Sequence, residues 1–161
     1  MRSTALAGTF LGAVALLSLT ACSSGLAVSP PNPPPVGAAA YTCSAVHGAL
    51  PDEVDGHGVT ATTPKSPLTA AWGQPAIVLR CGVPTPKALT PTSQLVTING
   101  VSWLPEQLTQ GYLFTTVGRE VTIEVAVPDA YSPEANVLVD LTPVIEKLDP
   151  APSDSPRSTV R

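Results

Sequence analysis

A chain of 161 residues is long enough for one folded domain. Twelve acidic residues outnumber eight basic ones, and the formal net charge is −4. This balance argues against nucleic acid as a partner, because proteins that bind it carry a basic surface. Nineteen prolines and few aromatic side chains indicate a compact domain with much irregular surface.

The first 22 residues have the pattern of a lipoprotein signal peptide. Arg2 gives a positive start, residues 5–19 are apolar apart from Gly, Ser and Thr, and Leu19-Thr20-Ala21-Cys22 reads as a lipobox. The apolar run is shorter than the roughly 20 residues that a membrane-spanning helix needs. We therefore predict cleavage after Ala21 and a diacylglycerol on Cys22, which holds the protein stably on the membrane. An uncleaved anchor and an ordinary secretory signal are the alternatives.

The sequence predicts four parts: a signal peptide over 1–21, a Pro-rich linker over 22–40, a domain over 41–149 and a disordered tail over 150–161. Prolines between residues 30 and 35 favour extended polyproline II in the linker. At about 3 Å per residue, such a linker would hold the domain off the membrane by up to a few tens of Å.

Two cysteines remain when Cys22 is assigned to lipid. Cys43 and Cys81 form an even pair, and in an oxidising compartment such a pair predicts a disulfide. The bond would close a loop of about 38 residues, which is worth roughly 4 kcal/mol in the chain-entropy model. A redox-active pair is the alternative, although redox pairs usually have the spacing Cys-x-x-Cys.

The first half of the domain predicts a short helix and one buried strand. Residues 42–50 place Cys43, Val46 and Leu50 on one helical face, and Pro51 ends the helix. Residues 52–67 and 85–93 read as loops. Residues 76–81 form a dense β-type run that ends at glycine and proline.

The second half predicts two hairpins and a helix. Asn-Gly at 99–100 separates apolar runs at 94–98 and 101–104, and a second hairpin joins 112–117 to 121–127. The helix begins with Ser132 as N-cap and Pro133 in the first turn, and it runs to Leu148. Pro143 should kink it or split it in two. The predicted fold class is α+β: one small domain with an antiparallel sheet of about five strands, packed by a short N-terminal helix and a C-terminal helix.

Three segments of this domain resemble an actinobacterial envelope family of unknown function, DUF3515. They are SPLTAAWGQPAIVLRCGV at 66–83, NGVSW at 99–103 and FTTVGR at 114–119. The resemblance covers about residues 43–148. It implies a secreted or membrane-anchored protein of high-GC Gram-positive bacteria, and it brings no assigned activity and no catalytic residue. The family often has basic residues where this chain has Gly56-His57-Gly58-Val59, so we do not expect that segment to hold an anionic ligand.

Histidines and carboxylates cluster in one turn-rich segment of 11 residues. The five side chains are His47, Asp52, Glu53, Asp55 and His57. Their spacing matches no metal-ligand pattern, so we predict a solvated acidic loop and no metal. The chain contains neither Gly-x-Ser-x-Gly nor His-Glu-x-x-His, and we predict no catalytic residue and no cofactor.

Two tryptophans and two arginines are the candidate binding residues. Trp72, Trp103, Arg80 and Arg119 would form a groove for a glycan or a peptide if they met in the fold. Trp72 is the favoured position, because it lies where a loop enters a buried strand. That choice applies only if a site exists. The interpretation that we favour is structural: the tryptophans close the small core, and the arginines pair with glutamates such as Glu120 or Glu124.

These observations predict a non-enzymatic binding or adaptor module, lipid-anchored to the extracytoplasmic face of the cell membrane. Its partner would be an envelope protein or a cell-wall glycan, and not nucleic acid. One alternative is a cell-wall-associated enzyme or accessory subunit with a groove near Trp72, and another is a purely structural surface protein. Two interpretations of the Thr/Pro stretches at 60–67 and 85–93 stay open: they are sites of O-linked sugar, or they are unmodified loops.

Overall fold

A six-stranded antiparallel sheet forms the middle of the molecule in the computed structural model, which describes residues 25–152. The helices are α1 (Ala38–Ala49) and α2 (Val137–Leu148). The strands are β1 (Leu26–Ala27), β2 (Glu53–Val54), β3 (His57–Gly58), β4 (Thr62–Thr63), β5 (Thr69–Trp72), β6 (Ile77–Cys81), β7 (Val96–Ile98), β8 (Val101–Leu108), β9 (Gly111–Val117) and β10 (Ile123–Val127). The order in the sheet is β5-β6-β10-β9-β8-β7. The predicted α+β class is confirmed.

Strand alternation gives the sheet one apolar face, which we call the inner face. In β10, Ile123, Val125 and Val127 are buried while the residues between them are partly exposed. The period of two is that of a half-buried strand. Both helices contribute to the same core, α1 through Cys43 and Val46 and α2 through its apolar stripe.

The predicted disulfide is present. Cys43 of α1 and Cys81 of β6 are bonded, with their Cα atoms 5.6 Å apart. Both residues belong to the core, so the bond fixes the N-terminal helix to a central strand.

Both predicted hairpins are confirmed, and one strand is longer than expected. Asn99 and Gly100 have φ of 43° and 84°, as the Asn-Gly turn requires. Strand β8 continues past Pro105 to Leu108, because it pairs with β9 as far as Gly111; on its other side, pairing with β7 reaches only to Trp103, opposite Val96, and leaves an unpaired edge at Pro105. A proline is tolerated on such an edge, since its missing N–H has no partner to lose.

The C-terminal helix differs from its prediction at two points. Ser132 has an extended backbone and is not the N-cap; short 3-10 turns at 129–131 and 134–136 precede α2, which begins at Val137. Pro143 lies inside α2, which remains one helix. Its missing N–H frees the carbonyl of Val139, and both residues are exposed, so water can satisfy that carbonyl.

The N-terminal helix begins earlier than predicted. It starts at Ala38 rather than at residue 42, because three alanines extend it at its N-terminus. Its end at Ala49, just before Pro51, agrees with the prediction.

The segment predicted as a linker lies against the domain from its first described residues. The N–H of Leu26 donates to the carbonyl of Ala61 at 2.7 Å, and the N–H of Val28 donates to that of Thr63 at 3.0 Å. Strands β1 and β4 pair in parallel, and Val28 is buried. We call residues 25–29 together with 59–65 the N-terminal ribbon.

The ribbon continues from the sheet edge that β5 provides. The N–H of Thr60 donates to the carbonyl of Ala71, and Val59 forms an isolated bridge with Trp72. Sequence reasoning missed both β5 and the ribbon, because the short runs TAAW and LAV carry no clear alternation.

Candidate functional site

A groove of about 480 Å³ lies between the start of the described chain and the outer face of the sheet. Residues 26–29 form one wall. The central strands form the floor with outward-facing side chains: Ala76, Val78 and Arg80 from β6 and its preceding turn, Leu113 from β9, and Glu124 and Ala126 from β10. Small alanines at two of these positions leave the space that the groove occupies.

An ion pair lies in this groove. Arg80 and Glu124 are direct partners across β6 and β10, so both point to the outer face. The Nε and Nη2 atoms of Arg80 both reach Oε1 of Glu124. The side chain of Arg80 is 38% exposed and that of Glu124 is 13% exposed. The pair thus offers a polar, electrically balanced contact in an otherwise aliphatic lining.

Trp72 and Trp103 belong to the core. Both are 0% exposed, and the indole Nε1 of Trp72 donates to the carbonyl of Pro51 at 2.9 Å. Trp72 pairs with Ile77 and faces inward with it, whereas Arg80 lies three residues further along β6 and faces outward. Trp72 and Arg80 therefore lie on opposite faces of the sheet and do not form one groove.

A shallow depression of about 300 Å³ does adjoin Trp72, between His47, Pro51 and Val59. Because the tryptophan itself is fully buried, it presents no surface there. The tryptophans thus close the core, as the structural interpretation holds, and the groove beside Arg80 is lined by aliphatic side chains on the outer face.

Arg119 connects three parts of the fold. Its Nη2 donates to the carbonyl of Gly100 at 2.7 Å, and its Nη1 donates to the carbonyl of Asp149 at 3.1 Å. It therefore joins the β7–β8 turn, the β9–β10 turn and the end of α2. Arg119 therefore stabilises the packing of these segments, and it is not among the residues that line the groove beside Arg80.

Asp149 is a buried carboxylate that sequence reasoning missed. Its Oδ1 accepts the N–H of Val121 at 3.0 Å, and its Oδ2 is buried without a hydrogen-bond partner among the described residues. Burial raises the pKa of Asp149 from 3.8 to about 6, while the bond from Val121 and the charge of Arg119 oppose the rise. Asp149 precedes a proline and follows the last helix, and nothing in the neighbouring sequence indicates that its side chain is buried.

The acidic segment forms the small hairpin β2–β3. The N–H of Asp55 donates to Oδ2 of Asp140 in α2 at 2.8 Å, and the ring of His57 lies 4.4 Å from that of Tyr131. Within residues 25–152, no three His, Cys, Asp or Glu side chains form a cluster that could hold a metal ion.

Cys22 and most of the predicted tail lie outside the described residues. No helix within residues 25–152 combines the length and the apolar character needed to cross a bilayer.

The described residues define a small disulfide-bonded α+β domain with an aliphatic groove on the outer face of its sheet. The chain belongs to the family DUF3515, proteins of unknown function, whose family model matches residues 3–153. No curated protein and no solved structure matches the chain.

Proposed function

We propose that this chain is a lipid-anchored extracytoplasmic protein of the cell envelope, and that its domain is a non-enzymatic module that binds another envelope protein. The groove beside Arg80 and Glu124 carries the proposal. Lipidation of Cys22 supplies the anchor.

Two features support a location outside the cytoplasm. The lipobox places a cysteine at the one position where lipidation requires it. The Cys43–Cys81 bond is of the kind that persists in oxidising compartments and is rare in the cytosol.

The chemistry of the groove favours a protein segment as its ligand. Val78, Leu113 and Ala126 offer aliphatic contacts, and the Arg80–Glu124 pair offers one donor and one acceptor group. Binding sites commonly combine an apolar lining with a few placed polar groups. Anchoring on the same membrane raises the effective concentration of such a partner, so a modest groove suffices.

The test is site-specific photo-crosslinking in cells that make the full-length lipidated protein. A photoreactive residue replaces Val78 in the groove or, as a control, Val139 on the exposed side of α2. We expect a discrete adduct with one envelope protein from position 78 and none from position 139. Ala126→Phe, which fills the groove, should remove the adduct.

Equal adducts at both positions, or an adduct that survives Ala126→Phe in a correctly folded protein, would contradict the proposal. An adduct with cell-wall fragments at position 78 would keep the groove as a binding site and replace the protein partner by a glycan. Folding of each variant is checked by its melting temperature and by the retained Cys43–Cys81 bond.

A further inference from the structure

The distance between the lipid-bearing residue and the folded domain is short. Only Ser23 and Ser24 separate Cys22 from Gly25. Gly25 begins the ribbon and packs closely on its other segment: a Cβ there would lie 2.6 Å from Oγ1 of Thr63 and 3.0 Å from the carbonyl oxygen of Ala61. Three residue steps span at most about 11 Å, at 3.3–3.6 Å each. The prolines at 30–35 follow the ribbon and cannot lengthen this connection.

The ribbon also has a surface suited to lipid. In a chain of net charge −4, residues 25–29 and 59–65 contain no carboxylate and one basic side chain, Lys65. Val59 is 63% exposed, and Ala27 and Ala61 are exposed as well. Carboxylates begin beside the ribbon, at Asp52 and Glu53 of the hairpin that Val59 adjoins. The ribbon itself is neutral to basic and partly apolar, which is compatible with an anionic bilayer, whereas an acidic segment is repelled by it.

From the tether length and this charge distribution we infer that the domain rests on the bilayer through its N-terminal ribbon. The partner is the lipid surface itself. The inference depends on the lipidation of Cys22 in the proposed function and replaces the separation of a few tens of Å that the linker pattern predicts. Residues 26–29 belong to the ribbon and also form one wall of the groove. The groove therefore opens close to the membrane surface.

The orientation is tested by collisional quenching from lipid. The protein is expressed with its own N-terminus in a lipoprotein-processing bacterial host and reconstituted in vesicles of phosphatidylglycerol and phosphatidylethanolamine with nitroxide-labelled lipid. One fluorophore is attached at Val59→Cys in the ribbon or at Val139→Cys, an exposed valine of α2, the helix that packs on the inner face of the sheet. We expect severalfold stronger quenching at position 59 than at position 139.

A flexible Gly/Ser insertion between Ser24 and Gly25 should lower the quenching at position 59 towards that at position 139. Equal quenching at the two positions in protein that floats with the vesicles would overturn the inference and leave the anchor intact. Protein that carries no lipid mass and does not float would instead overturn the anchor, and the inference with it. Unchanged quenching after the insertion would refute the role of the short tether.

Discussion

Asp149 gives the domain an unusual dependence of stability on pH. Burial of its carboxyl is the main cause that raises its pKa in the folded state to about 6 from an ordinary value of 3.8. The folded protein therefore holds this proton more tightly than the unfolded chain. The free energy of unfolding that Asp149 contributes is greatest below about pH 4 and falls as the pH rises through about 6.

The magnitude follows from the shift. One pKa unit corresponds to about 1.36 kcal/mol, so a difference of about two units sets an upper bound near 3 kcal/mol. Relaxation of the fold and entry of water around the ionised carboxylate reduce the effect below this bound. We expect the contribution of Asp149 to fall by about 1–2 kcal/mol across this window.

The assay is urea unfolding at a series of pH values with the disulfide intact, on the parent and on Asp149→Asn. An asparagine retains an oxygen that can accept the N–H of Val121 and carries no titrating group. At neutral pH the variant should be more stable than the parent by about 1–2 kcal/mol, and the difference should shrink as the pH falls to about 4. Asp129→Asn, at an exposed position, is the control: its stability should differ from that of the parent by the same amount at every pH.

The reasoning is refuted if the stabilities of the parent and Asp149→Asn differ by a constant amount at every pH. It is also refuted if the parent gains stability relative to this variant as the pH rises. Either outcome would mean that burial does not control the proton on Asp149.

Four further variants have defined outcomes. Replacing Cys43 and Cys81 by alanine should lower the free energy of unfolding by about 4 kcal/mol, since a 38-residue loop is released; an unchanged denaturation midpoint against the parent would contradict this. Gly111→Ala should cost at least about 3 kcal/mol by thermal unfolding, because its Cβ would lie 2.0 Å from a backbone carbonyl oxygen. Gly118→Ala places its Cβ more than 4 Å from every described residue except its chain neighbours, so it should cost about 1–2 kcal/mol for its positive φ alone. Equal losses in the two glycine variants would exclude the steric cause. Cys22→Ala should remove the lipid mass and the membrane partition, and a variant indistinguishable from the parent would exclude the anchor.

Local patterns predicted much of the sheet. Asn99-Gly100 between apolar runs indicated a hairpin that the structure contains, and the alternation from Val121 to Val127 indicated which side chains of that strand are buried. The Cys43–Cys81 pair followed from counting cysteines in a predicted oxidising compartment. Each of these rests on neighbouring residues or on covalent chemistry, which a sequence displays directly.

The candidate site was predicted only in part. Arg80, one of the candidate residues, lines the groove, but Trp72 was grouped with it although the two face opposite sides of the sheet. The reason is that β5 was not recognised, so the side to which Trp72 points could not be assigned. Glu124 was named as a possible partner of the arginines and does pair with Arg80, whereas Ala126 was assigned only to the exposed side of its strand.

The sequence alone determined features that depend on composition or on neighbouring residues. These are the acidic balance, the lipobox pattern, the hairpin turns and the apolar stripe of the last helix. Tertiary structure decided what depends on distant residues. Leu26 is placed by Ala61, and the carboxyl of Asp149 is placed by Val121, a residue 28 positions away. Neither contact has a local signature, because each is selected by the burial and hydrogen bonding of the whole folded chain.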